Sequence, residues 1–191
     1  MKKLYFILIA LLLVSCVNTP KPLTEAQRTE YIALADSVTT ETQKLLLMNV
    51  SKKIGEVGFV GAVDFCNENA VPLTNSFADN RFEIKRLSNK NRNSDNAIAT
   101  DIDLQAWNEI TALMGDKNQP KHILFEEENK IYFYKAIPLG MPTCLACHGN
   151  TQGDITAEVQ KVIADKYPND KAVNYTIGEL RGLWKMTFER Q

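Results

Sequence analysis

The segment HILFEEENKIYFYKAIPL (residues 122–139) contains two β-prone runs separated by a short polar turn. HILFEE and IYFYKAIPL are rich in β-branched and aromatic residues, and the turn ENK lies between them. Two such runs joined by a few polar residues are typical of a β-hairpin. The segment therefore predicts two neighbouring antiparallel strands.

Two further stretches extend the predicted sheet, with helices between them. FEIKRL (82–87) alternates apolar and polar residues as a half-buried strand does. LWKMTF (183–188) is expected to form a final strand. Thr100 and Asp103 have the spacing of a helix cap, and DITAEVQKVIADKYP (154–168) is an amphipathic helix by its pattern.

A long amphipathic helix precedes the sheet. Thr24 and Gln27 have capping-box spacing, and apolar residues recur at helical intervals up to Ile54. Glycines then loosen or bend the chain before a second helical stretch. Pro72 is expected to kink or end that stretch near Val71. The glycines are Gly55, Gly58 and Gly61, and one face of the second stretch carries Phe59, Val63 and Cys66.

Together these elements predict an α+β domain in which long N-terminal helices precede an antiparallel sheet with helical insertions. The chain has 191 residues and a formal net charge of -1, which fits one globular domain. The charge pattern has no basic stripe that would indicate a nucleic-acid partner.

The N-terminus has the pattern of an exported lipoprotein. Lys2 and Lys3 precede a short apolar run that is typical of a secretory signal and too short to span a bilayer. LVSC (13–16) resembles a bacterial lipobox, which implies cleavage before Cys16 and lipid on that cysteine. Several acyl chains would anchor the protein stably. The alternative is an ordinary cleaved signal with a chance cysteine.

We therefore expect a signal peptide at residues 1–15, a lipidated tether at 16–23 and a single domain at 24–191. The expected location is the cell envelope, with the domain facing the periplasm. Val17, rather than aspartate, follows Cys16. In a Gram-negative cell this favours the outer membrane over the inner one.

Residues 144–148, CLACH, form the C-x-x-C-H attachment motif of c-type haem. Two thiols at this spacing can add across the two vinyl groups of the porphyrin, and the next histidine then becomes the proximal iron ligand. The motif predicts one covalent haem c, linked by Cys144 and Cys147 and ligated by His148. Gly149 is expected to let the backbone pass close to the macrocycle.

Two other chemistries use a C-x-x-C pair. Zinc would need two further ligands, for which His122 and Cys66 are the candidates. A thioredoxin-like dithiol normally begins a helix directly after a strand, whereas Gly140 and Pro142 precede this motif. Haem is favoured because its covalent attachment takes place outside the cytoplasm, where the signal directs this chain.

Cys66 remains after the other three cysteines have been assigned. Two interpretations stay open from the residues alone. Cys66 is either a buried structural cysteine or the sixth iron ligand on the opposite face of the haem. The competing ligands are His122, Met141, Met48 and Met114, the last two of which are expected in the core, and an iron with five ligands is the further alternative.

Four stretches resemble a family of periplasmic or sensor-attached c-type haem domains, formerly described only as a domain of unknown function. The resemblance runs from residue 56 to the C-terminus and implies a PAS-like fold with a single haem. The family includes single-haem cyanobacterial proteins and the input modules of some sensor kinases. The stretches are AVDFCNENAVP (62–72), IKRLSNKNRNSDN (84–96), CLACHG (144–149) and KYPNDKAVNYTIGELRGLWKMTF (166–188).

In that family the iron is held by the motif histidine and by a cysteine of the N-terminal helix, which implies His148 and Cys66 as axial ligands here. A thiolate ligand would lower the reduction potential relative to a His/Met pair. The chain departs from the family pattern at Ser94, where proline is common, and at Asn174, where glycine is usual. Asparagine is the next-best residue for a left-handed backbone.

Arg86 and Arg92 are candidates for contacts to the haem propionates, because a guanidinium binds a carboxylate through two hydrogen bonds. The alternative is that both lie in a solvated loop. Trp107, Phe133 and Tyr134 either wall the pocket or fill the core, and the core is favoured.

The sequence thus predicts a lipid-anchored haem protein acting in redox or diatomic-gas sensing, with an electron-transfer cytochrome as the alternative. The expected partners are the membrane, through lipid on Cys16, and an unidentified redox or signalling protein. We expect no enzymatic activity. A haem enzyme such as a peroxidase would need an open site with acid–base groups, and only two histidines are present.

Overall fold

A computed structural model describes residues 21–127 and 129–190. The predicted signal peptide and Cys16 lie outside these residues. No helix within the described ranges is long and apolar enough to cross a membrane. The helices are α1 (Glu25–Asn75), α2 (Asp101–Leu113), α3 (Leu145–His148) and α4 (Ala157–Lys166), and the strands are β1 (Phe82–Leu87), β2 (His122–Glu126), β3 (Lys130–Pro138) and β4 (Leu180–Glu189).

The sheet has four antiparallel strands in the order β1-β4-β3-β2. The predicted hairpin is confirmed, since β2 pairs with β3 from His122 opposite Lys135 to Glu126 opposite Ile131. The two other predicted strands are present, although β4 begins at Leu180 rather than at Leu183. Helices and one antiparallel sheet make the domain α+β, as the sequence predicts.

A sharp bend at Gly58 divides α1 into a first arm (residues 25–57) and a second arm (residues 59–75). The backbone of Gly58 has φ 70°, a left-handed value that favours glycine. Lys53 Nζ lies 5.8 Å from the centre of the Phe65 ring. A straight helix would separate residues 53 and 65 by about 18 Å along its axis, so the second arm must turn back toward the first.

The ends of α1 test two local predictions. The capping box is confirmed, because Thr24 Oγ1 accepts from the Gln27 amide while the Gln27 side chain accepts from the Thr24 amide. The prediction that Pro72 kinks or ends the helix near Val71 is wrong, since helical backbone continues to Asn75. Pro72 lies in the last turn, where its missing N–H removes one hydrogen bond and little helix follows to be disrupted.

Both faces of the sheet are covered. The first covered face, called the α1 face, buries Phe133, Trp184 and Met186 against α1. The second, called the α2 face, buries Tyr134 and Leu183 against α2. Phe133 and Tyr134 therefore fill the core, as the sequence favours.

Met48 differs from its prediction. Its side chain is 61% exposed, so the expectation that it lies in the core is wrong. Thr42 and Leu46, one turn apart, provide the buried face of the first arm. Met48 follows Leu46 by two residues and so points to the opposite side of the helix. Met114 does pack against the core on the α2 face, as expected.

The connection between β3 and β4 brings the two predicted site segments together. These strands are neighbours in the sheet, yet the chain between them, residues 139–179, contains the C-x-x-C-H motif and α4. The connection packs against the second arm of α1, where Val63 shares a buried cluster with Ile155, Val159 and Ile163. Cys66 lies on that same arm, one turn after Val63.

Candidate haem site

The C-x-x-C-H motif lies on two short helical turns after β3. Pro142–Cys144 form a 3-10 turn, and Leu145–His148 form α3. Residues three and four apart share one side of a helical turn, so Cys144, Cys147 and His148 can present their side chains to the same side. Both cysteines carry free thiols.

The His148 ring is held in one tautomer by the backbone. Its Nδ1 lies 2.9 Å from the carbonyl oxygen of Ala172. Since a carbonyl can only accept, Nδ1 must carry the proton, which leaves the Nε2 lone pair free to bind a metal. Desolvation, and then the charges of Arg181 and Arg92, lower the pKa of His148 well below its usual range. The ring is therefore neutral at pH 7.

The backbone of the motif is tied to residues 172–175. The Tyr175 amide donates to His148 O at 2.9 Å, and the Asn174 amide donates to Gly149 O at 2.8 Å. Asn174 has φ 59°, which confirms that asparagine adopts the left-handed backbone here. This turn directs two successive amides toward the motif, while the Tyr175 ring stands edge-on to the His148 ring.

Gly149 has a reason for lacking a side chain besides the one that the sequence suggests. A Cβ there would lie 2.5 Å from Asp154 Oδ2 and 2.7 Å from the carbonyl oxygen of Leu145. The Asp154 carboxylate also accepts from the Asn150 amide at 2.8 Å. The position needs glycine because the chain after the motif folds tightly on itself.

Arg92 already has an anionic partner within the protein. Its Nε and Nη2 donate to the two carboxylate oxygens of Asp170 at 3.2 and 3.0 Å. Nη2 also lies 2.6 Å from the Cys147 carbonyl oxygen and 3.2 Å from that of Ala172. Because Ala172 O also accepts from His148, Arg92 supports the carbonyl that orients the histidine. The predicted contact of Arg92 with a propionate stays a prediction, with Asp170 already occupying its bidentate face.

Cys66 lies in the same buried region as the motif. Cys147 packs against the cluster that contains Val63, and the Cys66 thiol contributes to the raised pKa of Cys147. Burial raises the pKa of Cys66, while the charges of Arg86 and Arg92 oppose that rise. Burial also raises the pKa of Cys147 to about 11. The structure thus brings together Cys66 from α1 and Cys147 from the connection.

Arg86 and Arg181 lack the anionic partner that Arg92 has. No carboxylate of residues 21–127 or 129–190 lies within 4.0 Å of either guanidinium. Burial lowers the pKa of Arg86 and lowers that of Arg181 to about 10. The sequence pattern pointed to Arg86 but not to Arg181, although Arg181 lies within one of the family-like stretches.

Of the other candidate ligands, His122 lies on the outer strand β2, and Met141 lies at the start of the motif turn with an exposed side chain. The His122 ring stacks on Phe133 with centroids 5.4 Å apart, on the outer strand β2. Met141 is 40% exposed. Trp107, for which the sequence favours the core over the pocket wall, packs on the α2 face. In the part of the chain that the structure describes, no group of three or more His, Cys, Asp or Glu side chains is placed to hold a metal ion. The zinc alternative therefore gains no support from the geometry.

Comparison with known proteins assigns the family. Residues 21–188 match the family model described as Tll0287-like: Tll0287. The chain belongs to the Tll0287-like family. Its structure resembles the crystal structure of the cyanobacterial heme-protein Tll0287, with a TM-score of 0.62 at 18% identity, over 88% of this chain and 98% of that chain. At this identity the likeness shows the fold alone. No curated protein matches the chain.

The residues of this Tll0287-like chain fit a c-type haem. Two thiols and an imidazole share one side of a turn, and the imidazole has its free lone pair on Nε2. A further thiol lies nearby on α1, and Arg86 offers a buried positive charge to a carboxylate.

Proposed function

We propose that this protein is a lipid-anchored, single-haem c-type cytochrome-like protein acting in redox or diatomic-gas sensing. The observation that carries the proposal is the His148 ring, whose Nδ1–H is fixed on Ala172 O at 2.9 Å within the C-x-x-C-H turn. That arrangement is the one a proximal haem histidine needs, because the second hydrogen bond sets its tautomer and orientation.

Cys144 and Cys147 would form the thioether links, and His148 and Cys66 would be the axial ligands. When bound, haem supplies a one-electron couple and an iron that binds diatomic gases. The chain's own contribution is to orient His148 from Ala172 and to hold Cys66 on a separate element, the second arm of α1. Because the two ligands lie on different elements, a change of ligation would be transmitted to α1.

The envelope and fold assignments belong to the same proposal. Residues 1–15 would be a signal peptide and Cys16 would carry lipid, with the domain from residue 24 facing the periplasm, at the outer membrane in a Gram-negative cell. The antiparallel sheet with helical connections supports a PAS-like classification. The chain would act without enzymatic turnover and would pass its signal to a redox or signalling protein.

The decisive experiment compares wild-type protein with Cys66→Ala after expression with a cytochrome c maturation system. Covalent haem in both proteins, together with loss of the low-spin ferric absorption and EPR signals in Cys66→Ala alone, is the expected result. Met141→Ala is the matched control. Met141 is a competing candidate ligand three residues before Cys144, and its removal should leave the spectra unchanged. An unchanged low-spin spectrum in Cys66→Ala would remove Cys66 from the coordination sphere.

The alternative function is electron transfer at the membrane surface. An electron carrier keeps six-coordinate iron in both redox states, whereas a sensor changes ligation. Addition of carbon monoxide or nitric oxide to the reduced wild-type protein separates the two. We expect the Soret band to move as the gas displaces Cys66, and an unmoved band would favour the electron carrier.

A further inference from the structure

A buried guanidinium beside the candidate site has no counter-charge. Arg181 Nη1 donates to Ser88 Oγ at 3.1 Å and to the Lys90 carbonyl oxygen at 3.3 Å, and both acceptors are neutral. Arg181 Nε is buried and has no hydrogen-bond partner among the described residues. Removing an unpaired ion from water is unfavourable, so the protein holds Arg181 in an unfavourable state unless an anion joins it.

A β-bulge gives Arg181 its direction. Side chains alternate between sheet faces along β4, so that Trp184 lies on the α1 face and Leu183 on the α2 face. Strict alternation would place Leu180 on the α1 face, yet it packs on the α2 face. The pairing slips where Ile137 lies opposite Gly182 and Pro138 opposite Leu180, which leaves Arg181 as the extra residue. A bulge of this kind re-aims one side chain.

The bulge places Arg181 next to the motif histidine. Its guanidinium carbon lies 5.4 Å from the centre of the Tyr175 ring, and that ring stands edge-on to His148. Asp170, which also lies in this region, is held by Arg92 through two hydrogen bonds. The region therefore contains two guanidiniums without a carboxylate, those of Arg86 and Arg181.

We propose that Arg181 binds a propionate carboxylate of the haem, in the role that the sequence suggested for Arg92. The inference rests on the proposed function, because it requires the haem at this site. A haem carries two propionates, which matches the two unpaired guanidiniums, and a guanidinium is suited to bind a carboxylate through parallel hydrogen bonds. Arg92, already neutralised by Asp170, instead supports the backbone that orients His148.

The test measures the pKa of the haem propionates in the haem-loaded protein. The midpoint potential is determined from pH 5 to pH 9 for wild type, Arg181→Gln and Arg181→Lys, and the redox-linked pKa is read from its pH dependence. An adjacent arginine lowers the pKa of a carboxyl by about 1–3 pH units, so Arg181→Gln should raise the propionate pKa by that amount. Arg181→Lys should retain most of the wild-type behaviour because it keeps the charge.

Lys90→Gln is the matched control. Lys90 Nζ lies 4.1 Å from the centre of the same Tyr175 ring, so this variant removes one positive charge from the same surroundings. It keeps the Lys90 backbone carbonyl to which Arg181 Nη1 donates. It should change the propionate pKa less than Arg181→Gln does. Equal effects of the two variants, or no effect of Arg181→Gln in protein that carries haem, would overturn the assignment.

Failure of the inference is separable from failure of the proposed function. Wild-type protein without covalent haem, judged by intact mass and the pyridine haemochrome spectrum, would overturn both. If wild-type protein carries haem but Arg181→Gln leaves the propionate pKa unchanged, only the role of Arg181 is overturned. If Arg181→Gln does not accumulate, a crystal structure of wild-type holoprotein replaces it. A propionate oxygen within about 3.2 Å of an Arg181 nitrogen would support the assignment, and propionates bound elsewhere would overturn it.

Discussion

Two buried charged regions of this protein differ in how their charges are neutralised. On the α2 face, Lys185 Nζ donates to Asp103 Oδ1 at 2.6 Å, and the Tyr134 hydroxyl donates to the same oxygen at 2.7 Å. Around the haem motif, by contrast, Arg86 and Arg181 have no carboxylate partner in residues 21–127 and 129–190. The first region is complete within the chain, and the second is not.

The burial of the Asp103–Lys185 pair makes its contrast with the unpaired arginines informative. Asp103 is wholly buried, and the Lys185 side chain is only 7% exposed, so this pair is removed from water and depends on its own contacts. Asp103 Oδ2 has no hydrogen-bond partner in the described structure, so one oxygen accepts from both Lys185 and Tyr134. A buried charge that the chain neutralises itself is part of the architecture. For the buried charge that it leaves unpaired, we propose an anionic partner from outside the chain.

The largest expected effect comes from breaking the complete region. Asp103→Asn leaves the Lys185 ammonium buried without a counter-charge, and loss of one member of a buried pair costs about 3–5 kcal/mol. We expect this decrease in the free energy of unfolding, measured by urea denaturation, in haem-free and haem-loaded protein alike. Asp101→Asn, an exposed change in the same helical turn, is the control and should cost less than about 1 kcal/mol. A decrease confined to the haem-loaded form would contradict this assignment.

A smaller effect is expected for the ion pair beside the motif. Arg92→Gln leaves Asp170 without its partner and frees the carbonyls of Cys147 and Ala172. Hydrogen bonds to charged groups contribute about 1.5–3 kcal/mol, so the unfolding free energy of the haem-free protein should fall by that amount. Arg81→Gln, in the exposed pair with Asp79, should lower the unfolding free energy by less. Similar losses in both variants would show that the Arg92 pair contributes no more than a surface pair.

Acid should weaken the complete region progressively. Burial alone raises the pKa of Asp103, but the hydrogen bonds from Lys185 and Tyr134 outweigh it, so the pKa lies below its usual value. A carboxyl with a lowered folded-state pKa stabilises the fold above its unfolded pKa, and this stability is lost as the pH falls through the folded pKa. The difference in unfolding free energy between wild type and Asp103→Asn should shrink as the pH falls below about 4, the usual aspartate pKa, toward the lower pKa of the folded state. A constant difference would show that Asp103 does not titrate in this range.

The smallest expected effect comes from the incomplete region without haem. Arg86→Gln removes a half-buried cation that has no carboxylate partner among the described residues, so haem-free protein should keep its unfolding free energy within about 1 kcal/mol. Lys85→Gln, the exposed neighbour on β1, is the control. A loss of more than about 2 kcal/mol in Arg86→Gln would show that Arg86 is paired within the chain and would erase the contrast with Asp103.

Local sequence patterns predicted much of the fold. The hairpin, β1, the cap at Thr100 and the capping box at Thr24 all formed where the spacing placed them. Each depends on residues that are near one another in the chain. The errors arose where the position of a residue in the folded helix overrode its local sequence pattern. Pro72 lay in a last turn that tolerates it, and Met48 lay on the helix side that α1 leaves exposed.

The sequence by itself determined the family and the set of thiol and imidazole groups, because a contiguous motif and a cysteine count need no coordinates. Only the tertiary structure decided which arginine meets a carboxylate of the chain. Arg92 meets Asp170 across a separation of 78 residues, and Arg181 depends on a register slip between β3 and β4. Neither the pairing of distant charges nor the position of a bulge is specified by local pattern. Both follow from which segments pack together once the apolar faces are buried.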